Sequence, residues 1–343
     1  MLEWKTNETL AVGKGATLQQ YVASFGQDQL EMEIAPWGEG QLRINGREIA
    51  RINDAKDRRQ AFRAIKQIAE RYVETHMNKS AAPMLPAVKA KLLEGKKGLI
   101  VGVANDKSIA WGCAKAFRAL GADLAVTYLN EKAKKHVEPL ARALEAPIFM
   151  PLDVTVEGQT EQVFERIKNE WGQLDFLLHS IAFAPKEALH GRVIDVQRDG
   201  FLKTMDVSCW SFMHMARLAE PLMKRGGTIF TMTYYGSQMV VQNYNVMGVA
   251  KAALEASVRY IAAEVGPKGI RVHAISPGPL ATRAASGIPE FDELMDKAQS
   301  KAPSRSLVSI DDVGAATAFL ALDGARLITG DVTYIDGGYH IID

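Results

Sequence analysis

Tyr244 and Lys251 stand seven positions apart in the stretch Asn243-Tyr244-Asn245-Val246-Met247-Gly248-Val249-Ala250-Lys251. On a helix that spacing puts both side chains on one face, two turns and about 10 Å apart along the axis. Ten positions before Tyr244, Tyr234 closes a β-like apolar run, Gly227-Thr228-Ile229-Phe230-Thr231-Met232-Thr233. Two phenols and an ammonium converging on one cleft suit a reaction that builds negative charge on a substrate oxygen. The lysine also lowers the energetic cost of charge near Tyr244. Tyr234, Tyr244 and Lys251 are therefore the candidate catalytic residues.

Side chains so placed need a frame that carries distant stretches of chain to one edge. β-like runs occur at Leu99–Val101, Leu124–Thr127, Ile148–Met150, Phe176–His179, Thr228–Met232, Val272–Ser276 and Val332–Ile335. Amphipathic stretches such as Glu131–Leu144, Gln159–Trp171, Cys209–Met223 and Ala250–Val265 lie between them. Mostly apolar strands alternating with helices argue an α/β fold, a doubly wound parallel (Rossmann-like) sheet covered on both faces.

Directly after the first run comes Gly102-Val103-Ala104-Asn105-Asp106-Lys107-Ser108-Ile109-Ala110-Trp111-Gly112. A glycine at the strand's carboxyl end permits a sharp turn, and Ser108 is placed to cap a helix whose first N–H groups can hold a diphosphate. The loop is not G-x-G-x-x-G, so it points to a dinucleotide only through its place on the first strand of the alternating domain. At the end of the second strand, Tyr128-Leu129-Asn130-Glu131-Lys132 holds no arginine, which favours NADH over NADPH. Lys132, Lys134 and Lys135 keep NADPH open. Asp153-Val154 reads equally as an adenine contact and as a helix-capping aspartate. Ser180-Ile181-Ala182-Phe183-Ala184 follows the fourth strand with small residues that let backbone and cofactor approach closely. His179 reads as a packed strand-end histidine, because no orienting acid lies near it in sequence.

The rest of the chain bounds these readings. Its 343 residues are 47% hydrophobic, enough to bury a large core in more than one domain. A formal net charge of +1 gives no field that would draw nucleic acid or an anionic membrane. Cys113 and Cys209 fit neither a metal-ligand spacing nor a disulfide framework, so no metal is expected and a reducing compartment is. The start, Met1-Leu2-Glu3-Trp4-Lys5-Thr6, lacks the apolar stretch of a secretory signal, and no run is long enough to span a membrane. A soluble, cytoplasmic protein is the expectation.

Residues 79–90 carry two prolines without periodicity and read as a linker between a small α+β domain, 1–78, and the Rossmann-type domain, 91–343. In the small domain three strands, Leu30–Ile34, Gln41–Asn45 and Arg47–Ile52, form an antiparallel sheet with a hairpin at Asn45-Gly46. Asp54 is placed to cap a helix with the apolar stripe Phe62, Ile65, Ala69, Tyr72 and Val73. Its polar face, Arg58, Arg59, Arg63, Lys66 and Arg71, reads as solvated surface. The domain's role is unassigned, and His76-Met77-Asn78-Lys79 leaves open a junction after a fused carrier.

From about Lys91 onward the chain resembles the enoyl-[acyl-carrier-protein] reductases of bacterial fatty-acid synthesis, a divergent branch of the short-chain dehydrogenase/reductase superfamily. The resemblance rests on Gly102 with Ser108-Ile109-Ala110 and Gly112, then Asp153-Val154, then His179 to Ala184. It continues through Tyr234, Asn243 to Lys251, and Ile335-Asp336-Gly337-Gly338. Ordinary ketoreductases of the superfamily use Tyr-x-x-x-Lys, and Gly248 stands where that lysine would be. The resemblance implies reduction of the carbon–carbon double bond of a trans-2-enoyl thioester, with hydride passing from NADH to the β-carbon and an enolate forming at the thioester oxygen. Tyr244 would hydrogen-bond that oxygen, Lys251 would hold the nicotinamide ribose, and Tyr234 with Ala184 would line the substrate pocket. It further implies cofactor contacts from Gly102, Ser108, Ile109, Leu129, Asp153, Val154, Ser180, Ile181, Ala182, Leu280 and Thr282. Arg283 to Gln299 would be a mobile segment over the substrate, and the assembly a homotetramer whose partner is an acyl carrier protein bearing trans-2-enoyl chains.

One stretch and two single residues depart from the family pattern. Pro289-Glu290-Phe291-Asp292-Glu293 is acidic where some members place basic residues for an acidic carrier, which weakens complementarity and leaves an enoyl-CoA substrate open. Leu129 replaces a frequently polar adenosine contact, and Ala182 stands where some members have glycine. A carbonyl reductase of the same superfamily and a non-catalytic dinucleotide-binding regulator are the competing readings. The missing Tyr-x-x-x-Lys pair opposes the first, and the intact Tyr244 and Lys251 oppose the second.

Overall fold

The computed structural model describes residues 5–11, 17–25, 28–35, 39–44, 47–53, 56–57, 59–69, 91–280, 282 and 291–342. The chain divides into two units, Met1–Ala82 and Pro83–Asp343. The expected linker 79–90 and 76–79 junction, the Asn45-Gly46 turn, the Asp54 cap, and Arg58, Arg71, Tyr72 and Val73 lie outside the described residues.

In the first unit, β1 (Lys5–Ala11), β2 (Thr17–Phe25), β3 (Asp28–Ile34), β4 (Gly40–Ile44) and β5 (Arg47–Ile52) pair antiparallel in consecutive order. The expected three strands are corrected to five. The sequence hides β1 because Lys5 to Thr9 is polar throughout, so no alternation of period two shows, and its register with β2 shifts between Thr6 and Glu8. One face of the sheet is apolar. Leu30, Met32, Ile34, Leu42 and Ile44 pack against Ala61, Ile65 and Ala69 of a helix over residues 59–69 (α1). Tyr21 and Phe62 meet at a ring-centroid distance of 4.8 Å.

The second unit is built on seven parallel strands: β6 (Lys97–Val101), β7 (Asp123–Tyr128), β8 (Ile148–Pro151), β9 (Phe176–His179), β10 (Gly227–Met232), β11 (Ile270–Pro277) and β12 (Val332–Ile335). Their spatial order is β12-β11-β10-β9-β6-β7-β8. The helices are α2 (Ile109–Ala119), α3 (Glu131–Ala143), α4 (Gln159–Trp171), α5 (Lys186–Leu189), α6 (Arg198–Met205), α7 (Ser211–Ala219), α8 (Asn245–Val265), α9 (Phe291–Lys301) and α10 (Ile310–Ala321). A π-helical turn, Asp206–Trp210, joins α6 to α7.

Because both sheet faces are covered, the strands are mostly apolar, and successive residues enter different cores. Ile100 joins Trp111, Phe117, Val137, Leu140 and Val313 on the face covered by α2, α3 and α10. Leu99 and Val101 join Val163, Ile167, Phe212, Leu254 and Val258 under α4, α7 and α8. This is the doubly wound architecture the alternation implies. The chain order reverses between β6 and β9, which meet side by side from Gly98↔Phe176 to Val101↔His179. In such sheets ligands lie beyond the carboxyl ends of the strands at that reversal.

Candidate active site

Every site position read from the sequence lies beyond the carboxyl end of a parallel strand. Gly102, Ser108 and Ile109 follow β6, Leu129 follows β7, and Asp153 with Val154 follow β8. Ser180, Ile181, Ala182 and Ala184 follow β9, Tyr234, Tyr244 and Lys251 follow β10, and Leu280 with Thr282 follow β11. A parallel sheet puts all these ends on one edge, which is how residues far apart in sequence share one crevice.

Gly102 sits at the reversal with φ +109°, and a Cβ there would overlap the carbonyl of Ser180. Only glycine lets the loops after β6 and β9 close on each other here. Ser108 is the N-cap residue of α2 in extended conformation, but its side chain does not cap the helix. Its Oγ instead accepts from the amides of Ala104 and Asn105 at 3.0 Å each, and it donates to Asn105 Oδ1 at 3.3 Å. The hydroxyl therefore shapes the loop, and the amides at the start of α2 stay available to an anion.

The other cofactor-side positions are less uniform. Asp153 Oδ1 accepts from the amide of Thr155 at 2.9 Å and its hydroxyl at 2.7 Å, so this carboxylate shapes its own turn. The helix-cap alternative is excluded, since the N-cap of α4 is Gly158. Val154 and Ile181 pack partly into the core under α4 and α7, whereas Leu129 is exposed. Leu280 packs against the opposite core, and Thr282 donates its amide to the Leu280 carbonyl at 2.7 Å. At the carboxyl end of β11, just before that loop, the buried Ser276 hydroxyl has no partner among the described residues. A glycine cradle, an open helix start and an unpaired buried hydroxyl along one crevice fit a dinucleotide.

Tyr244 immediately precedes α8 rather than lying within it, between Asn243 (φ 62°) and Asn245 (φ 38°). Asparagine tolerates that left-handed region better than other side chains. The Asn245 amide group anchors the corner by donating to the Leu189 carbonyl at 2.8 Å. The bend aims Tyr244 into a cluster with Val241, Met247 and Ala250, against which Ala184, Leu189, Met205, Tyr234, Tyr235 and Leu294 pack. Tyr234 and Tyr244 meet edge to face at 5.1 Å. Tyr235 does not point away from its neighbour as a strand would require, because β10 has already ended at Met232. It packs at right angles to Tyr234 at 5.1 Å and reaches Tyr339 at 5.4 Å.

Burial pushes both phenols well above the usual tyrosine value. For Tyr244 the charge of Glu255 adds to the effect, and for Tyr234 the neighbours Tyr235, Tyr244, Tyr339 and Asp336 do. Both stay neutral donors, and the Tyr234 hydroxyl is buried with no partner among the described residues. Lys251 is buried too and donates to the Met232 carbonyl at 2.7 Å. Burial lowers its pKa to about 8, against the opposing pull of Cys209 and Glu255.

His179 is packed, with Nδ1 3.0 Å from Thr231 Oγ1 and Nε2 2.8 Å from Ser211 Oγ. Desolvation lowers its pKa to about 3, so it is neutral and no base. Of the expected mobile segment, 283–290 lies outside the described residues. The remainder is α9, where Leu294 packs on the tyrosine cluster and Ala298 packs with Tyr339. Among the described residues no group of side chains could hold a metal ion, and no helix is long and apolar enough to cross a membrane. Sequence reading missed Glu255, Thr233, Ser237 and Tyr339. Only the spacing of Glu255, one turn beyond Lys251 on the same face, was a signal for any of them.

Residues 102–340 match the family model described as enoyl-(acyl carrier protein) reductase. The chain is 49% identical over 250 residues to enoyl-[acyl-carrier-protein] reductase [NADH] 2 of Rhizobium meliloti, covering 73% of this chain and 93% of that one. It is 44% identical over 252 residues to the enoyl-[acyl-carrier-protein] reductase [NADH] of Rickettsia typhi, covering 74% and 97%. Among solved structures it resembles the Anaplasma phagocytophilum reductase in complex with NAD, with TM-score 0.71, 48% identity and coverage of 74% and 96%. The Bacillus cereus reductase with NADP+ and indole naphthyridinone gives TM-score 0.72, 44% identity and coverage of 74% and 99%.

Proposed function

This chain belongs to the enoyl-(acyl carrier protein) reductase family, and we propose that it reduces the C2–C3 double bond of trans-2-enoyl thioesters with NADH in fatty-acid elongation. The observation that carries this reading is the pair of neutral phenols, Tyr234 and Tyr244, meeting in one apolar cluster whose carrier segment is anchored by Lys251. When bound, the nicotinamide cofactor supplies the hydride. Gly102, the start of α2 at Ile109, Ser180 to Ala182, Leu280, Thr282 and the Ser276 hydroxyl are the groups proposed to hold it, with Leu129, Asp153 and Val154 toward its adenosine end.

Adding hydride to the β-carbon moves negative charge onto the thioester oxygen. A donor fixed in a water-poor pocket stabilises that charge without reorganising, and does so more strongly than water would. The Tyr244 hydroxyl takes this role, because burial keeps its proton in place. Lys251 has three N–H donors and spends one on Met232, leaving others for the nicotinamide ribose and a positive charge for the growing enolate. Tyr234 and Ala184 line the acyl side of the pocket, with the Tyr234 hydroxyl, unpartnered among the described residues, facing the substrate. The missing Tyr-x-x-x-Lys pair separates this arrangement from carbonyl reduction.

The acyl group's carrier is proposed to be an acyl carrier protein, with enoyl-CoA as the simpler thioester. A homotetramer in the cytoplasm is proposed on family grounds. Half-exposed Trp210 and Met213 and the largely exposed Tyr260 support self-association, since Met213 and Tyr260 line one groove between α7 and α8. The deciding experiment follows nicotinamide oxidation with trans-2-enoyl thioesters of carrier protein and of CoA, using NADH and NADPH in parallel, with a ketone control. Turnover of the enoyl thioesters with NADH is expected. Turnover of the ketone alone would move the chain to the carbonyl reductases, and no turnover at all would end the enzyme reading.

A further inference from the structure

Glu255 is nearly fully buried on α8, among residues that the proposed reaction does not use. Its Oε1 accepts two hydrogen bonds, from Thr233 Oγ1 at 2.6 Å and Ser237 Oγ at 2.6 Å. Those two residues bracket Tyr234-Tyr235-Gly236, the short turn that presents the pocket phenol. Charge-assisted bonds of this length to a desolvated carboxylate are strong, and two on one oxygen restrain both ends of the turn.

The same helix holds the turn at two further points. One helical turn earlier, Lys251 donates to the Met232 carbonyl, immediately before Thr233. A Cβ on Gly248 would come within 2.7 Å of the Gly236 carbonyl, and one on Gly236 within 2.7 Å of Tyr244 Cδ1. The turn therefore lies directly on α8 and touches the Tyr244 ring. The Tyr234 hydroxyl has no partner among the described residues, so its position is set by the turn and by ring packing on Tyr235 and Tyr244.

We propose that Glu255 is a positioning residue of this site, which fixes the Tyr234 phenol by accepting the Thr233 and Ser237 hydroxyls that bracket its turn. The role depends on the reductase reading only in its kinetic consequence; the restraint on the turn stands without it. It also explains why a glutamate is buried in a place where an apolar side chain would pack at lower desolvation cost.

The test uses the full-length chain carrying Ser237→Ala, Glu255→Ala, both together, and Glu255→Gln. Amide hydrogen exchange comes first, because it needs no turnover. Residues 233–239 are expected to exchange about tenfold faster in Ser237→Ala and Glu255→Ala, while the start of α2 keeps the parent rate. Unchanged exchange over 233–239 would overturn the clamp. In steady-state assays Ser237→Ala is expected to lower kcat/KM for an enoyl-CoA about fivefold, with the NADH dissociation constant within about twofold of the parent.

The double variant is expected to be no slower than Glu255→Ala, because the serine acts only through the carboxylate. Glu255→Gln, which keeps an acceptor oxygen, is expected to recover most of that loss. Additive losses, or a glutamine variant no better than alanine, would overturn the role. If Glu255→Ala does not fold, the cycle is run between Ser237→Ala and Thr233→Val, where losses that multiply independently would count against a shared acceptor. A parent chain without enoyl reductase activity would sink the function proposed above, while the exchange result would still decide the clamp.

Discussion

A phenol serves a growing oxyanion best as a fixed neutral donor, and burial gives Tyr244 that character at the cost of any role as an ionised base. Tyr244→Phe keeps the ring that packs on Tyr234 and removes only the hydroxyl. It is expected to lower kcat about a hundredfold or more, with NADH binding and melting temperature nearly unchanged, as kinetics and thermal unfolding would check. Lys251 gives the pH dependence. Desolvation holds it at about 8, below its ordinary 10.5, opposed by Cys209 and Glu255, with neutral His179 on the neighbouring strand. As pH rises through about 8 the ammonium is lost, so NADH affinity and kcat/KM should fall there, and Lys251→Met should lack that limb. Stability runs the other way. Between about 8 and 10.5 the unfolded chain keeps a proton that the folded chain has released, so this residue's contribution rises with pH across that window. Paired titrations of binding and unfolding would separate the two signs. The sequence showed Tyr244 and Lys251 by type and spacing, but not Glu255, because a glutamate four residues after a lysine reads as an exposed helix pair.

At the scale of elements, the apolar parallel strands were legible because burial on both faces leaves no polar alternation, and Phe176–His179 and Val332–Ile335 match to the residue. What composition could not show was set by tertiary packing. Ser108 has the residue type of a cap but spends its hydroxyl on its own loop, and Tyr235 shares the Tyr234 cluster because the strand already stops at Met232. Gly102 joins both levels: the sequence places it at a strand end, and the structure shows the Ser180 carbonyl where its Cβ would go. Gly102→Ala carries a positive φ and a backbone clash together, so it is expected to cost about 2 kcal/mol or more in chemical denaturation. The loops after β6 and β9 must part to admit the methyl, and they border the proposed cofactor crevice. Calorimetric NADH affinity should therefore fall more than tenfold, roughly as a misplaced binding loop predicts. Retained affinity would move the cofactor away from the β6–β9 reversal.

At the scale of the whole molecule the two units differ in what each can contribute. The first has its own apolar core, centred on Leu30, Met32, Ile34 and Ile65. The family match begins at Gly102, and the relatives are covered over 93% and 97% of their length by about three quarters of this chain. The second unit thus spans nearly the whole length of those relatives, and the residues of the proposed site all lie in it. A chain of residues 83–343 is expected to keep kcat/KM for an enoyl-CoA within about threefold of the full-length protein. The full-length chain is expected to unfold in two calorimetric transitions, one of them absent from the shorter chain. The charge pattern of the second unit gives the comparison a further arm. Its acidic stretch at 289–293 is poorly suited to an acidic carrier, whereas α1 of the first unit has Arg59 and Arg63 exposed on one face. Running both assays with carrier-bound substrate decides whether that face matters: a loss confined to the carrier thioester assigns the first unit to docking, and a loss with both substrates means that the second unit's fold depends on the first.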